Sequence, residues 1–163
     1  MTKIIVREAT KEDVDYIADH LREADVIELR AAQYTDPAAA VRTGWGWSDW
    51  TNAVLVDDAP AILYGVAPTG KRGQGSPWML ATDGIHAIQR KFLIGSRGEV
   101  DRMRARYSVL INQVHRGNTL SIKWLKWLGF TLYPEPAGPN GQFFTFSLGD
   151  RSEERRVGKE CRL

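Results

Sequence analysis

The stretch NTLSIKWLKWLGF, Asn118 to Phe130, constrains the fold of this chain more than any other. Asn118 is a good N-cap, because its side chain can accept a hydrogen bond from an orphan N–H of a first helical turn. Apolar residues follow at Leu120, Ile122, Trp124, Leu125, Trp127 and Leu128. They are too many for a thin amphipathic stripe, so the helix is expected to pack on more than one side. Gly129 stands where a helix places a left-handed C′ residue. Phe130 and Leu132 then open an alternating apolar run, the signature of a strand.

The chain has 163 residues, 43% of them hydrophobic and 26% charged, which fits a single globular domain with a sizeable core. No apolar run approaches the ~20 residues that span a bilayer. The opening MTKIIVREAT has no apolar segment of the secretory kind. The single cysteine, Cys161, excludes an internal disulfide framework and a cysteine metal site, and a reducing cytoplasmic setting is expected. His20, His86 and His115 are scattered without metal-ligand spacing. The tail RSEERRVGKECRL is highly charged and aperiodic. It resembles a translated sequencing-library adapter, as a metagenomic read would carry. The expected division is therefore a domain over 1–150 and a disordered tail over 151–163. The whole chain carries 22 basic and 20 acidic residues; without the tail the two balance, so a strongly basic nucleic-acid binder is not indicated.

In chain order, Lys3 to Ala9 alternates as a first strand, and Thr10 with Asp13 suggests a capping box. Val14, Ile17, Ala18 and Leu21 mark the helix that follows. A second helix is expected over Ala24 to Gln33, and a short third one from Asp36-Pro37, ending in a loop at Gly44-Trp45-Gly46-Trp47. Trp50 to Val56 and Ala61 to Ala67 predict a hairpin turned at Asp57–Pro60. Arg72-Gly73-Gln74-Gly75 invites a phosphate-loop reading, but the strand Pro77 to Thr82 follows it, so a hairpin turn is favoured. A phosphate loop has to open into a helix, so that its N–H groups and dipole meet the anion. Asp83 to Phe92 is ambiguous. A helix is expected from Gly95 to Tyr107, a strand from Ser108 to His115, and two last strands over 130–133 and 143–148.

The spacing Asn118, Ser121, Ile122, Leu128, Gly129, Phe130 resembles the last conserved block of the GNAT (Gcn5-related) acyltransferases. The resemblance implies an α+β, α/β/α-layered fold with a mixed, mostly antiparallel sheet of about six to seven strands flanked by helices. It also implies acetyl-CoA as cofactor and an amine as acceptor. In such a fold the main-chain N–H groups of the Pro77–Thr82 strand, through Leu80, Ala81 and Thr82, polarise the acyl carbonyl. The next helix start would cradle the pyrophosphate. Gly95 and Gly98 permit close approach, Ser96 can cap, and Arg97 adds a cation. Leu93 stands where the family has its first glycine, so an ordinary capped helix start is the competing reading. Asn118 would orient cofactor or water, and Ser121 would face the thiol. Glu28, with Asp25 one turn before it, is the candidate general base. One departure weakens the chemistry: the family often has a proton-donating Tyr seven residues after the Asn, where this chain has Leu125. The tryptophans 45, 47 and 50 would wall an acceptor pocket, meet a partner, or close the core.

A narrower similarity covers most of 1–150. Leu21–Asp25 with Glu28, Asp36–Ala40, Gly65–Pro68, Pro77–Asp83 and Asn118–Phe130 are similar to GNAT-like phage proteins grouped with the internal virion protein A of short-tailed phages. That resemblance implies a bacteriophage origin and a place in the host cytoplasm or the virion. It leaves two expectations. One is an acetyl-CoA-dependent N-acetyltransferase. The other is a non-catalytic protein of virion assembly that binds a phage or host protein. Neither expectation involves nucleic acid or membrane.

Overall fold

The computed structural model describes residues 1–161. The strands are β1 (Ile4–Glu8), β2 (Trp50–Val56), β3 (Ala59–Pro68), β4 (Gln74–Ala81), β5 (Val109–His115), β6 (Thr131–Leu132) and β7 (Phe143–Leu148). The helices are α1 (Lys11–Asp19), α2 (Glu23–Ala31), α3 (Pro37–Trp47), α4 (Gln89–Arg106), α5 (Thr119–Trp127) and α6 (Arg151–Cys161). Among the described residues the strands form one seven-stranded sheet in the order β1-β2-β3-β4-β5-β7-β6. Only β4 and β5 run parallel. The expected α+β class, with helices on both faces of a mostly antiparallel sheet, is the fold observed.

The sheet faces divide by residue parity, as a pleated strand requires. Ala53, Leu55 and Leu63 pack with Val14 and Ile17 of α1 and Val41 of α3. Val54, Ile62, Tyr64 and Val66 face the opposite way, with Met103 of α4 and Trp124 of α5. α2 lies at the end of the sheet where β4 and β5 separate. The two strands pair only at Gln74↔Val109 and Gly75↔Leu110. Gly75 is needed there, since a Cβ would stand 2.4 Å from the Tyr107 ring.

Three local cap signals held. Thr10 and Asp13 form a reciprocal capping box at α1. Asn118 caps α5, accepting from the Ser121 N–H at 3.4 Å. Gly129 takes φ 95°, while its N–H reaches Lys126 O and the Phe130 N–H reaches Leu125 O, the paired bonds of a Schellman end. Arg72–Gly75 is a hairpin turn, with Gly70 and Gly73 at positive φ.

Three expectations fail. Gly44 to Trp47 is the end of α3 rather than a loop. α4 begins at Gln89, six residues before Gly95, so Gly95 and Gly98 are interior to a helix. The run from Gln89 to Ile94 contains good helix formers, and two glycines at about 1 kcal/mol each do not stop it. The tail through Cys161 is helical rather than disordered. Asp150 accepts from the Glu153 N–H at 2.8 Å, Val157 is fully buried, and the Glu154 carbonyl accepts from Tyr133 at 3.1 Å. Residues 162 and 163 of that expected tail lie outside the described residues.

Candidate active site

Past Gly75 the edge of β4 turned toward β5 has no strand beside it. Thr82 donates its N–H to Ala61 O at 2.9 Å, across the β3 side. Antiparallel pairing alternates, so Leu80 and Trp78 also bond toward β3, while Pro77, Met79 and Ala81 direct their main-chain groups into the gap. Pro77 has no N–H, and its carbonyl accepts from Asn112 Nδ2 at 2.8 Å. Ala81 is taken at both groups: its N–H donates to Asp25 Oδ2 at 2.8 Å, and its carbonyl accepts from the Arg22 N–H at 2.9 Å. Among the described residues Met79 is left as the β4 residue with an open N–H and carbonyl in the gap. This corrects the expectation for Leu80, Ala81 and Thr82. Leu80 and Thr82 bond to the neighbouring strand, and Ala81 is occupied by α2.

Arg22 and Asp25 form a buried pair, at 2.8 Å from Nε to Oδ2 and 3.1 Å from Nη2 to Oδ1. Burial pushes the Asp25 carboxyl above its ordinary range, and the Arg22 guanidinium and the Ala81 N–H act against that. The same guanidinium reaches Ser121 Oγ at 3.4 Å. One turn after Asp25, Glu28 Oε2 accepts from Asn118 Nδ2 at 2.9 Å and from the His115 N–H at 3.2 Å. Burial raises the Glu28 carboxyl, while Asn118 and the His115 N–H pull it back. Glu28, Asn118 and Ser121, far apart in sequence, thus meet in one polar network at the open end of β5.

That network lines a cavity of about 870 Å3. It passes between β4 and β5, with Leu29, Trp47 and Trp78 on the α1/α3 side of the sheet. Met79, Phe92, Trp124 and Leu125 line it on the α4/α5 side. Gly95 and Ser96 border the cavity, but not as a helix start. Ser96 Oγ donates to the Phe92 carbonyl at 2.7 Å, and Arg97 stacks over Trp127 at 3.9 Å. A pyrophosphate cradle at Gly95, Ser96, Arg97 and Gly98 is therefore not what the structure builds, because their N–H groups serve the helix ladder. The first turn of α4, Gln89 to Lys91, has N–H groups without partners among the described residues. Arg90 and Lys91 supply cations there, and Lys91 lines the cavity. Sequence reasoning missed Met79 and this first turn. The run of helix formers before Gly95 was the signal for the second; nothing in residue identity marks the first.

Leu125 lies on the cavity wall, so no tyrosine occupies the family's donor position. Among the described residues no group of histidine, cysteine and carboxylates is arranged to hold a metal. Among the described residues no helix is long and apolar enough to cross a membrane.

No family model matches the sequence, and no curated protein does. Solved structures match over almost the whole chain. An acetyltransferase from Agrobacterium tumefaciens superposes with a TM-score of 0.67 at 11% identity, covering 90% of this chain and 91% of that one. The PaiA N-acetyltransferase from Thermoplasma acidophilum, in complex with coenzyme A, gives 0.62 at 12% identity, covering 91% and 99%. A GNAT-family acetyltransferase from Bacillus anthracis gives 0.60 at 7% identity, covering 89% and 93%. With identities this low the likeness is one of architecture, and by its strand order, its splayed central strands and these neighbours the chain has the GNAT acetyltransferase fold.

Proposed function

We propose that the chain is an N-acyltransferase that uses acetyl-CoA and a primary amine, with transfer at the divergence of β4 and β5. One observation carries this reading. The gap opens on both faces of the sheet and holds a carboxylate, Glu28, in the same cavity as the open amide of Met79. The residues present fit the donor at both ends. The first turn of α4 with Arg90 and Lys91 suits a pyrophosphate, and the Met79 N–H suits an acyl carbonyl oxygen.

Acetyl-CoA, when bound, supplies an acyl group activated as a thioester. Glu28 takes the proton that the amine loses as it becomes an amide. Both bonds from Asn118 and His115 fall on Oε2, which leaves Oε1 for that proton. Asn118 is thus a positioning residue as well as a cap. Ser121, one turn before Leu125, stands in for the missing tyrosine and protonates the departing sulfur. An amine that arrives as an ammonium gives its first proton to solvent; the neutral nitrogen then gains the acyl carbon and passes a second proton to Glu28, the thiol leaves with the proton of Ser121, and solvent carries the proton of Glu28 back to Ser121.

The sequence resemblance adds a phage origin, with action in the host cytoplasm or the virion. Leu125 and the glycine-poor start of α4 favour a second reading, a fold kept for binding a phage or host protein in virion assembly. Calorimetric titration of the full chain separates the two. Micromolar affinity for acetyl-CoA, about −8 kcal/mol, lost on Lys91→Glu, supports the acyltransferase. No heat and no thermal shift at millimolar acetyl-CoA would leave the binding reading.

A further inference from the structure

The cavity wall on the α1/α3 side has a chemistry of its own. Trp47 is 74% exposed at its rim, and Tyr34 is 45% exposed beside it. Trp78, on β4, forms the floor. Its Nε1 donates to Ser48 Oγ at 2.7 Å, and that hydroxyl donates to the Gly44 carbonyl at 2.6 Å. The indole is therefore fixed from behind while remaining only half-buried. Large aromatic side chains left at the edge of a concavity mark a ligand surface more often than a stabilising one.

The charges narrow the ligand further. Glu28, on α2 at the end of the sheet, is one cavity carboxylate, and the other, Glu99, belongs to α4. The cation on the cavity wall among the described residues is Lys91, also on α4. A ligand carrying its own carboxylate would find no cation here. A polyamine or a basic peptide would meet a second acid only at Glu99, on α4, where the donor is placed. An ammonium beside Glu28, joined to an aromatic body lying on Trp78 and Trp47, matches the carboxylate of α2 and the aromatic surfaces of this wall.

We propose that the acceptor is a small arylalkyl primary amine, bound with its ring between Trp47 and Trp78 and its nitrogen at Glu28. This rests on the acyltransfer reading above, and its test can be read without a donor. Tryptophan fluorescence is followed while phenylethylamine, butylamine, spermidine or glycine is added to the full chain. Phenylethylamine is expected to bind at least about tenfold more tightly than the others, and Trp47→Ala to cost about tenfold. Trp47 is exposed, so this variant should fold. In thiol-release assays the same substitution raises KM for phenylethylamine, while calorimetric affinity for acetyl-CoA holds. Equal binding of all amines, preference for spermidine, or an indifferent Trp47→Ala would overturn the proposal. If acetyl-CoA binds and phenylethylamine does not, the acceptor class fails and the acyltransferase reading stands. If phenylethylamine binds and acetyl-CoA does not, the amine site stands and the transfer reading fails.

Discussion

α1 and α4 cover opposite faces of one sheet by different means. α1 is nine residues long and buries Asp13, Val14, Ile17 and Ala18; α4 has eighteen residues and buries only Met103. α1 opens on a reciprocal capping box, whereas α4 opens at Ile88 with no side-chain cap and carries two glycines in its interior. The first helix is locked into the sheet. The second roofs a cavity, and its first turn has N–H groups without partners among the described residues. Packing is thereby concentrated under α1 and the donor's end of the cavity under α4, with the Arg22–Asp25 pair at the end of β4 between them.

The largest effect expected is on the open side. Glu28→Gln should lower kcat about 10²–10⁴-fold if Glu28 is the general base, measured by thiol release at saturating amine. Wild-type activity should climb with pH as Glu28 loses its proton, above the ordinary glutamate value because burial raises it. That limb should vanish in the variant. Stability moves the opposite way. The unfolded chain releases this proton first, so stability falls as pH rises from the ordinary glutamate value of 4.5 toward the raised folded value, and Glu28→Gln should remove that fall.

Asp25→Ala should destabilise by about 3–5 kcal/mol, because it leaves the Arg22 guanidinium buried without its partner. Denaturant unfolding reads this directly. Ile17→Ala on the locked face should cost about 2–5 kcal/mol, whereas Ile94→Ala, at a site 60% exposed on α4, should stay within about 0.5 kcal/mol. Similar losses at both sites would break the contrast between the faces. The smallest effect separates the two views of α4. Gly95→Ala and Gly98→Ala meet nothing within 4 Å and should each stabilise by about 1 kcal/mol. If instead they abolished acetyl-CoA binding, a phosphate cradle at those glycines would be restored.

Much of this architecture could be read from residues with strong local chemistry. Asn118, Gly129 and the Thr10–Asp13 pair marked helix ends that the structure keeps, because caps are decided by near neighbours. Glu28, Asn118 and Ser121, singled out separately in the sequence, lie together in the structure. The start of α4 was not legible, since glycines inside a helix look like its terminators until packing is known. Gly44 to Trp47 looked like a loop for the same reason, although Trp45 packs on the core of the locked face. The tail helix depends on a contact between Val157 and a distant part of the fold. Met79 was invisible in principle. Whether a main-chain amide is open depends on strand parity and on what docks beside it, not on the side chain it carries.

Donor binding at that amide is tested most directly by labelled-protein NMR with acetyl-CoA titrated into the full chain. The Met79 N–H resonance should shift most along β4, while those of Leu80, held by β3, and Ala81, held by Asp25, move little. A titration that leaves Met79 unmoved, or that shifts Ala81 in its place, would contradict the claim that this gap receives the donor.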